Sequence, residues 1–258
     1  MKKILIIEDN RELADNFMLL LQDRGYNVST AYSGSSGLNK ILEEKPELIL
    51  CDIMLPDING YKLLHELKKL KAAELPVFIF ITAKNQRPDF RKAMNLGADD
   101  YITKPFTLNE LIRAIETQFA KRNNLVKRNS SDLAGKNEQT LSNTSKLSYN
   151  DYIFFQDKKN PGFYPISSIM TIKSMKDYTK IQLAEEKKFV VRKSMLYWEE
   201  RLPSEKFYRV HKQTIVNIEY IESIQNTSSN RYRVIMKISG ENLDVSQRFG
   251  KKIRAFFR

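Results

Sequence analysis

At 258 residues the chain exceeds the usual single-domain size of about 100–200 residues, and its 41% hydrophobic, 10% aromatic and 29% charged composition excludes wholesale disorder. The net charge of +12 is unevenly held: residues 1–122 carry 18 Lys+Arg against 17 Asp+Glu, and the remainder carries 25 against 14. A near-neutral half joined to a basic half points to an anionic partner for the second, nucleic acid being the commonest, while the single cysteine, Cys51, excludes an internal disulfide.

The opening MKKILIIEDN reaches Glu8 and Asp9 too soon for a signal peptide or a membrane span. No basic amphipathic helix long enough to lie in an interface stands out, so a cytoplasmic protein with no membrane partner is expected. Apolar, β-branched runs predict strands at Lys3–Ile7, Asn27–Ala31, Leu48–Cys51, Val77–Ile81 and Asp100–Ile102. Apolar residues at three- and four-residue spacing predict helices between and after them, in stretches such as Arg11–Arg24, Gly34–Glu44, Tyr61–Leu70 and Thr107–Arg122. Five strands each followed by a helix imply an α/β domain over residues 1–122, a parallel sheet covered on both faces. Such sheets bind ligands beyond the carboxyl ends of their strands.

Residues 123–147 are rich in Asn, Ser, Thr and Lys and poor in aromatics, which predicts a flexible linker. No apolar heptad is sustained there to continue the preceding helix as a coiled coil. Residues 148–258 then read as mostly β, with alternating runs at Tyr152–Phe155, Ile169–Lys173, Tyr178–Leu183, Lys188–Arg192, Tyr208–Val216, Tyr232–Ile238 and Leu243–Val245. Helices are expected at Lys193–Arg201 and from about Gln247 to Phe257. Neither makes a helix-turn-helix pair.

The chemistry-bearing residues cluster at predicted strand ends. Glu8 and Asp9 close the first strand and Asp52 the third, so three carboxylates converge at one sheet edge. Hard oxygens of that kind suit Mg2+, and a carboxylate beside such an ion can attack phosphorus to give an aspartyl phosphate. Thr82 closes the fourth strand and Lys104 follows the fifth, placing a hydroxyl and an ammonium where phosphoryl oxygens would lie. Singly, each residue has an ordinary explanation as a solvated acid or a packed side chain. The joint arrangement at the ends of four strands does not. His65, far from these motifs, reads as a surface histidine.

The stretches IIEDN, LILCDIMLPDINGY, FIFITAK and DDYITKPF resemble the receiver domains of two-component response regulators, over roughly residues 1–122. The resemblance implies a flavodoxin-like, doubly wound five-stranded parallel sheet with Asp52 as phosphoacceptor. It also implies that Glu8, Asp9, Asp52 and the main-chain carbonyl of Met54 share magnesium and that Lys104 pairs with the phosphoryl group. Thr82 would move to bond that group, letting Tyr101 turn inward, and Lys104–Pro105 would be a cis peptide. The implied partner is a sensor histidine kinase, and the implied response is homodimerisation on phosphorylation.

In the second half, RYRVIMKIS places Tyr232, Val234, Met236 and Ile238 on one face and Arg231, Arg233 and Lys237 on the other. Arg209, His211 and Lys212, then Lys173, Lys176 and Lys180, then Arg248, Lys251, Lys252 and Arg254 extend the basic surface, as phosphate contacts require. FYRVHKQTIVNIEYIESI, with ISSIMTIKSMKDYTKIQL and VSQRFGKK in order, resembles the LytTR family of DNA-binding domains. That resemblance implies about ten strands whose loops enter successive major grooves of double-stranded DNA. Its base-contacting candidates are the Lys176–Thr179 loop including Tyr178, His211 with Lys212, and Gln247 with Arg248. His211 is equally explained as a hydrogen-bonded strand residue. An enzymatic output is not expected, since no Gly-rich phosphate loop, metal-ligand cluster or Ser/His/Asp arrangement is present, although the receiver would catalyse its own phosphorylation and dephosphorylation. The competing reading is an RNA-binding or protein-interaction output.

Overall fold

The computed structural model describes residues 1–70, 75–83, 87–128, 146–156, 161–228, 231–246 and 248–250. The chain forms two compact units, Met1–Lys136 with Phe154–Phe163, and Asn137–Ile153 with Tyr164–Arg258.

In the first unit, β1 (Lys3–Ile7), β2 (Asn27–Ala31), β3 (Leu48–Cys51), β4 (Val77–Thr82) and β5 (Asp100–Thr103) form a parallel sheet in the order β2-β1-β3-β4-β5. The order reverses at β1, so a crevice opens between the ends of β1 and β3. The near-continuous apolar strands reflect burial on both faces. On one face Ile4, Ile6, Leu50 and Ile79 pack with Phe17 and Leu21 of α1 (Arg11–Asp23) and Leu111, Ile115 and Phe119 of α5 (Leu108–Arg128). On the other, Leu5, Ile7, Ile49 and Phe78 meet Ile41 of α2 (Gly34–Glu44), Leu63 and Leu67 of α3 (Gly60–Lys69), and Ala93 of α4 (Arg87–Asn95). The helix entries are capped as their sequences suggest, Asn10, Ser33 and Asn59 each accepting a main-chain N–H from the first turn. Phe154 and Phe163 belong to this unit's core, with Phe154 5.5 Å from Phe17 and 5.4 Å from Phe106 between ring centroids.

α5 runs six residues beyond the expected helix end at Arg122, into the segment read as linker. No glycine or proline interrupts the sequence before Gly135, so nothing in it forces the helix to stop at Arg122. The rest of the expected linker, residues 129–145, lies outside the described residues.

The second half contributes β6 (Tyr152–Phe155), β7 (Gly162–Pro165), β8 (Ile169–Met175), β9 (Tyr178–Leu183), β10 (Lys188–Val191), α6 (Met195–Arg201), β11 (Phe207–His211), β12 (Thr214–Asn217), β13 (Ile221–Ser228), β14 (Arg231–Met236) and β15 (Asn242–Val245). A five-stranded sheet, β10-β9-β8-β12-β11, and a three-stranded sheet, β13-β14-β15, accompany the two-stranded β6-β7 pair. Ile172, Ile181 and Ile215 are buried in register on one face of the larger sheet. On the other side Val210, Val216 and Met170 pack against Ile221, Val234, Met236 and Leu243 of the smaller sheet.

Three strand expectations change. The run Tyr208–Val216 is a hairpin, because Lys212 and Gln213 form a turn between β11 and β12. β7 and β13 were not expected. β14 stops at Met236, so Ile238 is 60% exposed in the following turn instead of continuing the buried face.

Candidate functional site

Four of the five strands of the first sheet place a candidate residue at their carboxyl ends. Glu8 follows β1, Asp52 follows β3, Thr82 ends β4 and Lys104 follows β5. Glu8, Asp52, Thr82 and Lys104 are all buried. The Lys104 ammonium donates to an Asp52 oxygen at 2.9 Å and a Glu8 oxygen at 3.0 Å. Burial pushes the Glu8 carboxyl up to about 7; Lys104 opposes the rise and Asp52 adds to it. For Lys104 burial works against the charge, and the two carboxylates outweigh it, so its ammonium is held above the ordinary value. Lys104–Pro105 is cis.

The other Asp52 oxygen accepts from the Met54 main-chain N–H at 2.9 Å, which fixes the carboxylate in the β3–α3 loop. Two further residues that the sequence did not single out hold that loop. Asp57 accepts from the Gly34 and Ser35 main-chain N–H groups at 2.8 and 2.9 Å, at the start of α2. Gly60 opens α3 so close beneath the site that an added Cβ would lie 2.6 Å from the Asp52 carbonyl oxygen. Asp9, in contrast to Glu8, is exposed. Among the described residues no three acidic, histidine or cysteine side chains surround one point. Magnesium takes only one or two carboxylates and completes its shell with carbonyl, water and phosphate oxygens, so the hard-oxygen donors at this edge fit that ion.

Tyr101 is 7% exposed, turned into the unit and not out to solvent. Its ring lies 5.8 Å from Phe90 of α4 and 6.2 Å from Phe80. Burial, with Tyr61 and Asp89 adding to it, raises its hydroxyl well above the usual phenol value. Neither Tyr61 nor Phe90 was expected to bear on the site, because an aromatic in an amphipathic helix reads as core.

In the second unit, strand register brings three candidate segments to one end. Met175 pairs with Tyr178 across the Lys176–Asp177 turn, where Lys176 has φ 54°. Ser174 donates to the Gln213 carbonyl, linking that hairpin to the β11–β12 turn with exposed Lys212. Ser246, after β15, donates to the Val210 carbonyl, which places exposed Arg248 beside the same end of β11. Tyr178 is 45% exposed. His211 is half-buried, and its Nδ1 accepts from the Gln213 N–H at 3.2 Å, so it shapes the turn.

Thr179 is not part of this surface. Alternation along β9 turns Thr179, Ile181 and Leu183 inward, and the Thr179 hydroxyl accepts from the Trp198 indole N–H at 2.8 Å. Several cations of the expected basic surface are also engaged internally. Arg233 pairs with Asp244 at 3.1 Å, Lys173 with Glu241, and Arg209 with Glu199 at 2.6 Å while also donating to the Lys212 carbonyl. Arg209 thereby braces the turn that presents Lys212. Gln247, the Arg231 side chain, Lys251, Lys252 and Arg254 lie outside the described residues.

Residues 4–116 match the response regulator receiver domain family, and residues 162–258 match the LytTr DNA-binding domain family. Over 127 residues the chain is 39% identical to the transcriptional regulatory protein DltR of Streptococcus agalactiae, covering 49% of this chain and 55% of that protein. Over 120 residues it is 38% identical to the regulatory protein VanRc of Enterococcus gallinarum, covering 46% of this chain and 51% of that one. The chain thus spans about half the length of these curated relatives. Among solved structures, a response regulator receiver domain protein of Clostridium thermocellum is 29% identical, covering 48% of this chain and 99% of that chain, with a TM-score of 0.45.

Proposed function

The chain carries a response regulator receiver domain followed by a LytTR DNA-binding domain, and from that premise we propose that it is a phosphorylation-controlled transcription regulator of a bacterial two-component system. The observation that carries this reading is the buried Asp52–Lys104–Glu8 cluster at the carboxyl edge of the parallel sheet.

In this reading an Asp52 carboxylate oxygen attacks the phosphorus of a phosphohistidine on a sensor histidine kinase. The O–P bond forms as the P–N bond breaks, and the imidazole leaves. Glu8, Asp9, Asp52 and the Met54 carbonyl would hold a magnesium ion, whose charge offsets that of the phosphoryl oxygens. Lys104 is already placed to exchange a carboxylate oxygen for a phosphoryl oxygen, and the Thr82 hydroxyl ends the neighbouring strand on the same edge. Nothing else in the reading makes the chain an enzyme.

The signal would pass by pairing of receivers through α4, β5 and α5, the face on which Phe90 and Tyr101 meet. Two tethered output domains then engage neighbouring half-sites in double-stranded DNA, which can raise avidity by about 10²–10⁴ without any new contact. Lys176, Tyr178, His211, Lys212 and Arg248 would form the reading edge; Gln247, Arg231 and Arg233 complete the proposed DNA contacts, of which Gln247 and the Arg231 side chain lie outside the described residues. No described helix is long and apolar enough to cross a membrane; in this reading the regulator acts in the cytoplasm. The test is sedimentation and duplex titration on the same samples, with and without beryllofluoride and magnesium, against structured RNA of equal length. Activated protein should dimerise and bind duplex more tightly. Preference for RNA, or tighter duplex binding by a protein that stays monomeric, would contradict this account.

A further inference from the structure

The second unit contains a cleft of about 400 Å³, lined by Thr171, Lys173, Lys180, Gln182, Lys188 and Glu241 among others, with the Lys173–Lys180 pair two register pairs along the hairpin from Met175 and Tyr178. Glu241 lies at the turn that enters β15, whereas Arg248 follows that strand's exit. Three features of this cleft are costly as they stand. Lys173 and Lys180 are direct cross-strand partners, and like charges placed opposite one another destabilise a sheet. Lys188 pairs with Gln182, adding a third ammonium on the next strand, and Glu241 offsets only one of the three charges. Thr171 is 1% exposed and its hydroxyl oxygen has no hydrogen-bond partner, which leaves a buried polar atom unsatisfied.

One kind of ligand answers all three. An anion rich in oxygens would separate the lysines electrostatically and take the Thr171 hydroxyl and the Gln182 amide as donors. The cleft adjoins a second pocket of about 280 Å³ that shares Gln182, Lys188 and Ser239 and is completed by Met170, Leu183, Ala184, Glu186 and the exposed Ile238. One wall of that pocket, Met170, Leu183, Ala184 and Ile238, is apolar, and such a wall beside a cationic cradle suits a ligand with both characters. We propose that this cleft binds a small organic phosphate, its phosphate held by Thr171, Lys173, Lys180 and Lys188 and its apolar or aromatic body lying toward Ile238.

The experiment titrates the full chain by calorimetry with inorganic phosphate and with 1-naphthyl phosphate, without magnesium so that the receiver's acidic edge contributes no metal-held phosphate. Saturable one-to-one binding is expected, tighter for the naphthyl ester. Lys180→Gln and the isosteric Thr171→Val should each weaken it about tenfold, the value of one hydrogen bond to a charged group. Thr171→Val should unfold at the same temperature as the wild type or higher, since the variant no longer buries an unpartnered hydroxyl. An excess of short duplex DNA should leave the titration unchanged. Absence of saturable binding at millimolar ligand, or wild-type affinity in either variant, would overturn the proposal. So would competitive displacement by duplex, which would assign these lysines to the DNA backbone.

Discussion

The Lys104 ammonium stands 2.9 Å from an Asp52 carboxylate oxygen, both side chains buried, with Glu8 held on the same ammonium at 3.0 Å. One cation therefore bridges two acids that would otherwise face each other out of water, offsetting one of their two charges. Removing one partner of a buried ion pair costs about 3–5 kcal/mol, because the remaining charge is left uncompensated. Lys104→Met should lower stability by that amount in magnesium-free urea unfolding at neutral pH and should slow phosphorylation. An unchanged unfolding midpoint would show that the triad contributes nothing to folding.

Gly60 tests how tightly the loop is held. A Cβ at this position would sit 2.6 Å from the Asp52 carbonyl oxygen and 3.0 Å from a Phe80 ring carbon. Neither neighbour is the free end of a flexible chain. Gly60→Ala should therefore cost about 1–3 kcal/mol as an overpacked site does, and displace Asp52 enough to reduce labelling. Wild-type stability and labelling in that variant would mean the loop yields freely.

The output half separates base contact, phosphate contact and internal support. Lys212→Ala or Arg248→Ala should weaken specific duplex binding by about 1–3 kcal/mol, with little effect on random duplex, if the side chain meets a base edge. Loss of a phosphate contact would weaken all sequences alike and flatten the salt dependence by about one unit. Thr179→Val should behave differently from both, lowering stability by about 1–3 kcal/mol because the buried Trp198 N–H loses its acceptor. If Thr179→Val instead relaxes sequence preference at full stability, Thr179 belongs to the interface after all.

The receiver was legible in the sequence because its signals are redundant. Buried strands β1, β3 and β4 are continuous apolar runs whose ends locate Glu8, Asp52 and Thr82, and Lys104 follows the shorter, more polar β5. What holds those residues was harder to see. The contacts of Asp57 with α2 and of Gly60 with the Asp52 carbonyl join segments by loop geometry, which no periodicity encodes. In the output half, alternation located the strands but not their partners. Thr179 and Tyr178 are neighbours in sequence with opposite fates, and which one faces inward depends on where α6 places Trp198. Arg233 and Lys173 count as free cations in a composition and as paired ones in the fold, because Asp244 and Glu241 arrive from strand β15 and the turn before it.

If Asp52 carries the phosphoryl group, intact-mass measurement will read it as one that depends on that side chain. The full chain is incubated with a small-molecule phosphodonor and magnesium beside Asp52→Asn, which removes the nucleophile and keeps the side chain's shape. The account predicts one base-labile phosphoryl group on the wild type and none on the variant, with both proteins equally folded. Undiminished labelling of Asp52→Asn would contradict it.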